Sequence, residues 1–263
     1  MISRLGRAIG HVVFRSRDVL APVTVLMLVV SARPGDFLVS PACGRWLDAL
    51  GALTMLLGLA IRFLVVATCR IRRSGVRKRV IAPTLYDTGA YAWCRNPLYI
   101  GNATILVGLG LIFDSRWMVA CALPTALLAI GSIVAAEERV LANDFGDRYH
   151  DYCRRVPRFV PRLPFPTRPV GMAIDWQRGI RKEHGTIFAT LTTALLLAGT
   201  EEFARMGNDA WFRRAPALLG LWLAAATLWA FVRHLKHAGR LADAVSSTTE
   251  ASATSAQRGD VAA

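Results

Sequence analysis

Residues 85–101 read LYDTGAYAWCRNPLYIG and lie between a basic segment, residues 70–79, and a long apolar run. Asn96 followed by Pro97 predicts a helix start, because Asn is a favoured N-cap and Pro suits the first helical position. The first turn of such a helix presents backbone N–H groups that attract anions, including a ligand carboxylate. Three aromatic residues lie around it: Tyr91, Trp93 and Tyr99. Taken alone, the stretch fits either a ligand site at the mouth of a membrane helix or an aromatic belt beside an anchoring arginine.

The composition indicates a membrane protein. Of the 263 residues 54% are hydrophobic, and the mean hydropathy is +0.37. The net charge is +14, but the basic residues lie between apolar runs rather than on one folded face. This pattern fits cytoplasmic loops and anionic head groups, and it argues against a nucleic-acid-binding protein. The five cysteines form no close pair and show no metal-ligand spacing, which predicts free thiols in a reducing compartment and no metal site.

The apolar runs predict an all-α, polytopic membrane helix bundle of about six transmembrane helices, since each run approaches the length needed to span a bilayer. The predicted spans are residues 19–32, 46–69, 97–113, 117–136, 186–200 and 215–232. Both termini are expected in the cytoplasm, because most of the 32 Lys and Arg residues then face that side. Pro124 is expected to kink the fourth span. A cleaved signal peptide ending near Ala32 is the alternative to an uncleaved first span.

A second block follows the predicted helical hairpin. It contains Glu137-Glu138-Arg139-Val140-Leu141, then Phe145-Gly146, Tyr149, Tyr152 and Val156-Pro157-Arg158-Phe159. The two blocks resemble, in order and separation, the Gly-x-Tyr-x-x-x-Arg-His-Pro-x-Tyr-x-Gly and Glu-Glu-x-x-Leu signatures of the isoprenylcysteine carboxyl methyltransferase and phospholipid methyltransferase superfamily. The resemblance covers about residues 83–163. It implies an integral membrane enzyme that uses S-adenosylmethionine, bound in a cytoplasmic pocket.

The resemblance also implies where the cofactor binds. The expected contacts are Pro83, Thr84, Leu85, Tyr86, Tyr91, Asn96, Pro97, Leu98, Tyr99 and Glu137. Neighbours on a helix point about 100° apart, so only one of the two glutamates can face a shared pocket. Glu137 is expected to be that carboxylate, and a solvated Glu137 paired with an arginine is the alternative. Arg95 is expected either at the bilayer edge or on the cofactor. Tyr149 and Tyr152 share a helix face and either close the pocket or pack in the core.

Two departures from the family pattern bear on the chemistry. Asn96 stands where the family has His; it can bind through hydrogen bonds but cannot titrate near neutrality, so proton transfer by this residue is excluded. Ile133 stands where prenylcysteine-specific members carry an Arg that could pair with a substrate carboxylate. The acceptor is therefore left open as a lipophilic carboxylate, a lipid amine or a thiol, and no catalytic base is assigned.

The chain divides into four segments. Residues 1–80 hold the N-terminal membrane helices and a basic cytoplasmic segment, and residues 81–165 form the predicted methyltransferase core. Residues 166–242 form an interfacial helix and a membrane hairpin, and residues 243–263 are expected to be disordered. Arg62 lies inside the second span, where it is either functional or, as we favour, snorkels toward the head groups.

Two function classes remain after this reading. The first is a membrane-embedded methyltransferase at the cytoplasmic face of a bacterial inner membrane, which acts on a lipid or another lipophilic small molecule. The second is a non-catalytic polytopic membrane protein, such as an assembly factor or a small transporter subunit. The predicted spans carry no charge except Asp48, near one end of the second span, and Arg62. No Gly- or Pro-interrupted pair repeats between the two halves, which argues against transport.

Overall fold

The computed structural model describes residues 41–69, 85–115, 117–161 and 174–241. Within these ranges the chain is helical and contains no β-strand, in agreement with the predicted all-α class. The elements are α1 (Pro41–Thr68), a 3₁₀ turn (Gly89–Ala92), α2 (Pro97–Phe113), a π-helical turn (Met118–Ala122), α3 (Leu123–Phe145), α4 (Asp147–Arg155) and α5 (Trp176–His237). The predicted first span, the predicted tail and the expected cofactor residues Pro83 and Thr84 lie outside the described residues.

Several helices have the length and composition of membrane spans. Three candidates are Gly44–Thr68, Met118–Phe145 and Trp211–His237, and α2 is a shorter apolar helix. Large apolar side chains point outward, for example Leu53 on α1 and Leu128 on α3, which are 66% and 73% exposed. Such a surface is stable in contact with lipid and costly in water. The chain is therefore an integral membrane protein.

Glycines bring α1 and α2 into close antiparallel contact. A Cβ atom added at Gly51 would lie 2.7 Å from the carbonyl oxygen of Gly108, and one added at Gly58 would lie 2.8 Å from that of Gly101. The glycines recur every seven residues on both helices, so they form one continuous seam. Small residues allow membrane helices to approach until their backbones touch, which maximises packing where no hydrophobic driving force exists between helices.

The long helix α5 reverses direction although its backbone is helical throughout. Phe188 stacks on Trp229 with 5.1 Å between ring centroids, and Trp222 Nε1 donates to Thr192 Oγ1 over 3.2 Å. A straight helix would separate positions 188 and 229 by about 60 Å. Residues 176–200 and 211–237 are therefore two antiparallel arms, named here the first arm and the second arm. The second arm is a candidate membrane span and includes the predicted span at 215–232. The first arm is helical over residues 186–200, and its crossing of the membrane stays a prediction.

The core lies where α1, α2 and the first arm meet. Its buried residues are Met55, Leu59, Ile105, Leu109, Ile112, Phe113, Met118, Ala122 and Leu197. Asp175 N donates to Ala67 O over 3.0 Å, so the first arm begins where α1 ends. Because α2 runs antiparallel to α1, its N-terminus lies at this same end. The first motif block and the start of α5 therefore share one end of the bundle.

A π-helical turn, Met118–Ala122, lies just before Pro124 in a helix that continues through both. Prolines and π-helical turns are both common causes of helix kinks, and the kink at Pro124 stays a prediction. The helix also continues past residue 136, where the predicted span ends, as far as Phe145. No proline or glycine lies between residue 136 and Gly146, whose φ of +50° suits the end of a helix.

Arg62 forms an ion pair inside the bundle, so the prediction that it snorkels is wrong. Its Nε and Nη2 atoms each donate to the Glu183 carboxylate over 2.9 Å, and Nη1 donates to Asn102 Oδ1. The two charged side chains are only 15% and 6% exposed. A Cβ atom at Gly101 would lie 2.6 Å from Arg62 Cγ, so this glycine makes room for the arginine. Together with Asn102, the pair joins α1, α2 and the first arm.

We expect Gly108→Ala to destabilise the protein. A Cβ atom at this position would lie 2.5 Å from Met55 N, and overpacking of this kind costs about 1–3 kcal/mol. The thermal unfolding midpoint in detergent should fall. Gly131→Ala on α3 is the matched control, because no atom lies within 4 Å of its added Cβ. Equal midpoints for the two variants would contradict the glycine seam.

We expect Arg62→Met and Glu183→Met to be strongly coupled. Removal of one partner of a buried pair leaves an uncompensated charge and costs about 3–5 kcal/mol, whereas removal of both charges costs much less. The double variant should therefore unfold at a higher temperature than either single variant. Additive losses in the thermal midpoints would show that the two charges do not interact.

Candidate cofactor site

The two motif blocks meet at Glu138. Its Oε1 atom lies 3.3 Å from Arg95 Nη1 and accepts a hydrogen bond from Asn96 Nδ2 over 3.2 Å. Its Oε2 atom lies 2.7 Å from Arg158 Nη2. The side chain is 15% exposed, so these contacts form in a partly dehydrated environment where charge-assisted hydrogen bonds are strong. One carboxylate thus connects α3, the start of α2 and the segment that follows α4.

Backbone groups reinforce this connection. Arg95 N donates to Pro157 O over 2.9 Å, and Asn96 Nδ2 also donates to Arg158 O over 3.3 Å. Asn96 occupies the N-cap position and Pro97 follows it in the first turn, as predicted, but the Asn96 side chain makes no capping hydrogen bond. It binds Glu138 and Arg158 instead, so the expected side-chain cap is wrong. Asn96 therefore connects the two motif blocks and does not cap its own helix through its side chain.

The position of Glu138 follows from the buried face of α3. Val134 is fully buried, Glu138 lies four residues later, and Leu141 packs against the cluster beneath. This i, i+4, i+7 spacing places all three on one helix face. Sequence reasoning selected the preceding residue, Glu137, which is partly buried and has an interaction of its own. The role of Glu137 as a cofactor ligand stays a prediction. Glu138 was not identified from the sequence as the carboxylate that joins the two motif blocks, although its spacing from Val134 indicates this.

Tyr149 and Tyr152 pack in a small core at this end of the bundle. With Leu85 and Val156 they form a buried cluster, and Tyr152 Oη donates to Tyr91 O over 2.8 Å. The ring centroids of Tyr149 and Tyr152 are 6.1 Å apart. Burial raises the pKa of both tyrosines well above the usual value, so both remain protonated near neutrality. Of the two alternatives for this pair, the structure supports core packing.

Arg95 has a structural role in this arrangement. Besides its contact with Glu138, its Nη1 atom donates to Cys153 Sγ over 3.0 Å, so it joins α3 to α4.

The neighbouring Cys94 is 2% exposed. Burial raises the pKa of the Cys94 thiol to about 11, although a backbone hydrogen bond at Asn96 lowers it.

The expected cofactor residues within the described ranges lie at the same end of the bundle. Leu85 belongs to the tyrosine cluster, and Asn96 and Pro97 are buried at the start of α2. Five others are partly buried: Tyr86, Tyr91, Leu98, Tyr99 and Glu137. In the described ranges, no group of three or more His, Cys, Asp or Glu side chains could hold a metal ion. Cofactor contact by these residues stays a prediction.

We expect Cys94 to resist thiol alkylation while Cys153 reacts. Cys94 is buried and its raised pKa keeps it protonated, and alkylation requires the thiolate. Cys153 is partly exposed. Mass spectrometry after iodoacetamide treatment at neutral pH should find the label on Cys153 well before Cys94, and unfolding in detergent should abolish the difference. Prior labelling of Cys94 in the folded protein would contradict the packing of this turn.

Comparison with known proteins identifies the family. The model of the phospholipid methyltransferase family matches residues 46–148. The cobalt-zinc-cadmium resistance protein CzcN of Cupriavidus metallidurans is 30% identical over 159 residues, which cover 60% of this chain and 70% of that protein. The nickel-cobalt-cadmium resistance protein NccN of Alcaligenes xylosoxydans xylosoxydans is 32% identical over 118 residues, 45% of this chain and 53% of that protein.

A mammalian enzyme is also similar. The protein-S-isoprenylcysteine O-methyltransferase of Rattus norvegicus is 30% identical over 121 residues, which cover 44% of this chain and 42% of that enzyme. The chain thus spans less than half the length of this relative. No solved structure matches the chain. The family match and these relatives agree with the two motif blocks, and the chain belongs to the phospholipid methyltransferase and isoprenylcysteine methyltransferase superfamily of membrane proteins.

Proposed function

We propose that the protein is an S-adenosylmethionine-dependent methyltransferase that methylates a lipophilic acceptor at the membrane. The main support is the network around Glu138, which joins Arg95 and Asn96 of the first motif block to Arg158 of the second. Residues more than 40 positions apart in the chain are thereby held as one unit. Superfamily membership gives this unit its expected chemistry.

The residues present suit the cofactor. S-adenosylmethionine carries a cationic sulfonium and ammonium, a carboxylate and an adenine ring. Glu137 offers a partly buried carboxylate beside the Glu138 network, and the start of α2 offers a helix N-terminus that the Asn96 side chain does not cap. Tyr86, Tyr91 and Tyr99 supply aromatic surface for a cation or a ring. We therefore assign Glu137 to the cationic part and the first turn of α2 to the carboxylate.

The protein's contribution is to position the reactants and exclude water. When bound, the cofactor supplies an electrophilic methyl group, and transfer requires the acceptor at near-attack distance. Asn96 cannot accept a proton near neutrality, and Tyr149 and Tyr152 remain protonated. This favours an acceptor that needs no proton removed by these residues, namely a carboxylate, or a thiol or lipid amine that has already lost its proton to water. Ile133 provides no cation for a carboxylate, so the acceptor class stays open.

The site is proposed to face the cytoplasm of a bacterial inner membrane. The distribution of Lys and Arg supports this orientation, and a soluble cofactor made in the cytoplasm requires it. The acceptor would then reach the site from the bilayer, since exposed apolar side chains surround the bundle. No nucleic acid is proposed as a partner.

A second candidate function comes from two relatives. The names of CzcN and NccN associate those proteins with resistance to cobalt, cadmium and other metals. A role in metal resistance, catalytic or not, is therefore the alternative to lipid or protein methylation. Growth of a deletion strain on cobalt or cadmium tests it, and growth equal to that of the parent would remove this candidate.

We expect Glu137→Gln to weaken S-adenosylmethionine binding at least tenfold without loss of stability. The variant keeps the shape of the side chain and removes the charge that would face the cationic cofactor, and a hydrogen bond to a charged group contributes about 1.5–3 kcal/mol. Binding is measured by titration of the detergent-purified protein, and folding by its thermal midpoint.

Two further variants separate the roles of the glutamates. Glu138→Gln should lower the thermal midpoint, because Arg95 and Arg158 lose their shared partner. Asp151→Asn is the matched control, since this exposed carboxylate on α4 forms an ion pair with Arg154 at the surface. A well-folded wild-type protein that binds no S-adenosylmethionine would overturn the methyltransferase proposal. Unchanged binding by Glu137→Gln would overturn the role of that residue.

A further inference from the structure

The two arms of α5 collect basic residues at one end of the bundle. The first arm begins with one group of cations and the second arm ends with another. Because the arms are antiparallel and Phe188 stacks on Trp229, these groups lie side by side. We call them the basic collar, which consists of Arg178, Arg181, Lys182, Arg233, Lys236 and Arg240. The hydrogen bond between Asp175 N and Ala67 O places the collar at the same end as the candidate cofactor site.

The positive charge of the collar is not neutralised by acidic residues of its own segments. Residues 175–184 and 229–241 contain two acidic residues, Asp175 and Glu183, beside the six collar cations. The Asp175 carboxylate accepts a hydrogen bond from Arg178 N at the start of the arm. Glu183 is 4% exposed and its carboxylate is occupied by Arg62. The internal ion pair therefore removes the Glu183 carboxylate from the collar surface, where Lys182, Arg233 and Lys236 are exposed.

Aromatic and apolar residues fix the collar at the level of the membrane surface. Arg233 lies over the ring of Trp229, with its guanidinium carbon 5.1 Å from the ring centroid. Trp176 is 59% exposed and its ring lies 5.6 Å from that of Phe63. Tryptophan and arginine in this combination are typical of the interface between acyl chains and head groups. Phe231, 57% exposed, lies just before Arg233 on the side of the apolar span.

We propose that the basic collar binds the head group of an anionic phospholipid beside the candidate cofactor site. Lys182, Arg233 and Lys236 supply cations for the phosphate, and the exposed apolar surface around Phe231 accepts the acyl chains. This combination suits an amphiphile rather than a soluble polyanion, which would gain nothing from the apolar surface. The proposal does not depend on methyl transfer, and it adds a lipid requirement that the superfamily motifs do not contain.

The test compares two triple variants of equal charge. The collar variant is Lys182→Gln, Arg233→Gln, Lys236→Gln, and the control is Arg45→Gln, Arg148→Gln, Arg213→Gln, whose arginines are exposed elsewhere on the bundle. Full-length protein is immobilised in detergent micelles and titrated with acyl-labelled phosphatidylglycerol, with phosphatidylcholine as the neutral lipid. Glycerol phosphate is added as a soluble competitor to distinguish a lipid site from a free-phosphate site.

The wild type and the control variant should bind phosphatidylglycerol tightly, and the collar variant at least tenfold more weakly, since each cation near an anionic lipid contributes about fivefold. Glycerol phosphate should compete poorly. The proposal would be overturned if both triple variants lost affinity for phosphatidylglycerol equally, or if neither lost it. It would also be overturned if the wild type bound phosphatidylcholine equally well, or if glycerol phosphate displaced the lipid completely. If the collar variant fails to fold, two milder variants replace it. Lys236→Gln alone must lose affinity for phosphatidylglycerol. The charge-retaining triple variant, Lys182→Arg, Arg233→Lys, Lys236→Arg, must keep it.

Discussion

The close approach of α1 and α2 is the constraint on which the rest of the structure depends. Four glycines allow the two backbones to touch, and the positions of Gly51 against Gly108 and Gly58 against Gly101 define one register. In this register Arg62 lies beside Gly101 and reaches Asn102 and Glu183. The first arm of α5 is thereby attached to the helix that begins at the motif. A wider helix pair would separate the arginine from both partners.

The network around Glu138 then completes the end of the bundle. A carboxylate with two arginines and an amide as partners has little remaining capacity to bind an outside cation. Glu138 is therefore poorly suited to face a cationic cofactor, which is the physical reason why the cofactor role is proposed for Glu137 instead. The same logic applies at Glu183, where the internal Arg62 occupies the carboxylate while Lys182 is exposed at the surface.

The helical class and the helix start at Pro97 were predictable from the sequence because they depend on local chemistry. Pro at a first helical position and long apolar runs act within a few residues. The two arms of α5 were also predicted, since each has its own apolar pattern, although the helical backbone through residues 201–210 was not. The π-helical turn just before Pro124 was not predicted, because its hydrogen-bond pattern leaves no signature in the sequence.

The sequence by itself determined that this is a membrane protein of the methyltransferase superfamily, since composition, motif order and motif separation are properties of the chain alone. Only the tertiary structure decided which charges meet. Arg62 looked like a snorkelling residue because Glu183 is 121 positions away, and Asn96 looked like a cap because Glu138 is 42 positions away. Long-range ion pairs depend on helix register and on the rotation of each helix, and neither quantity is encoded in a short segment.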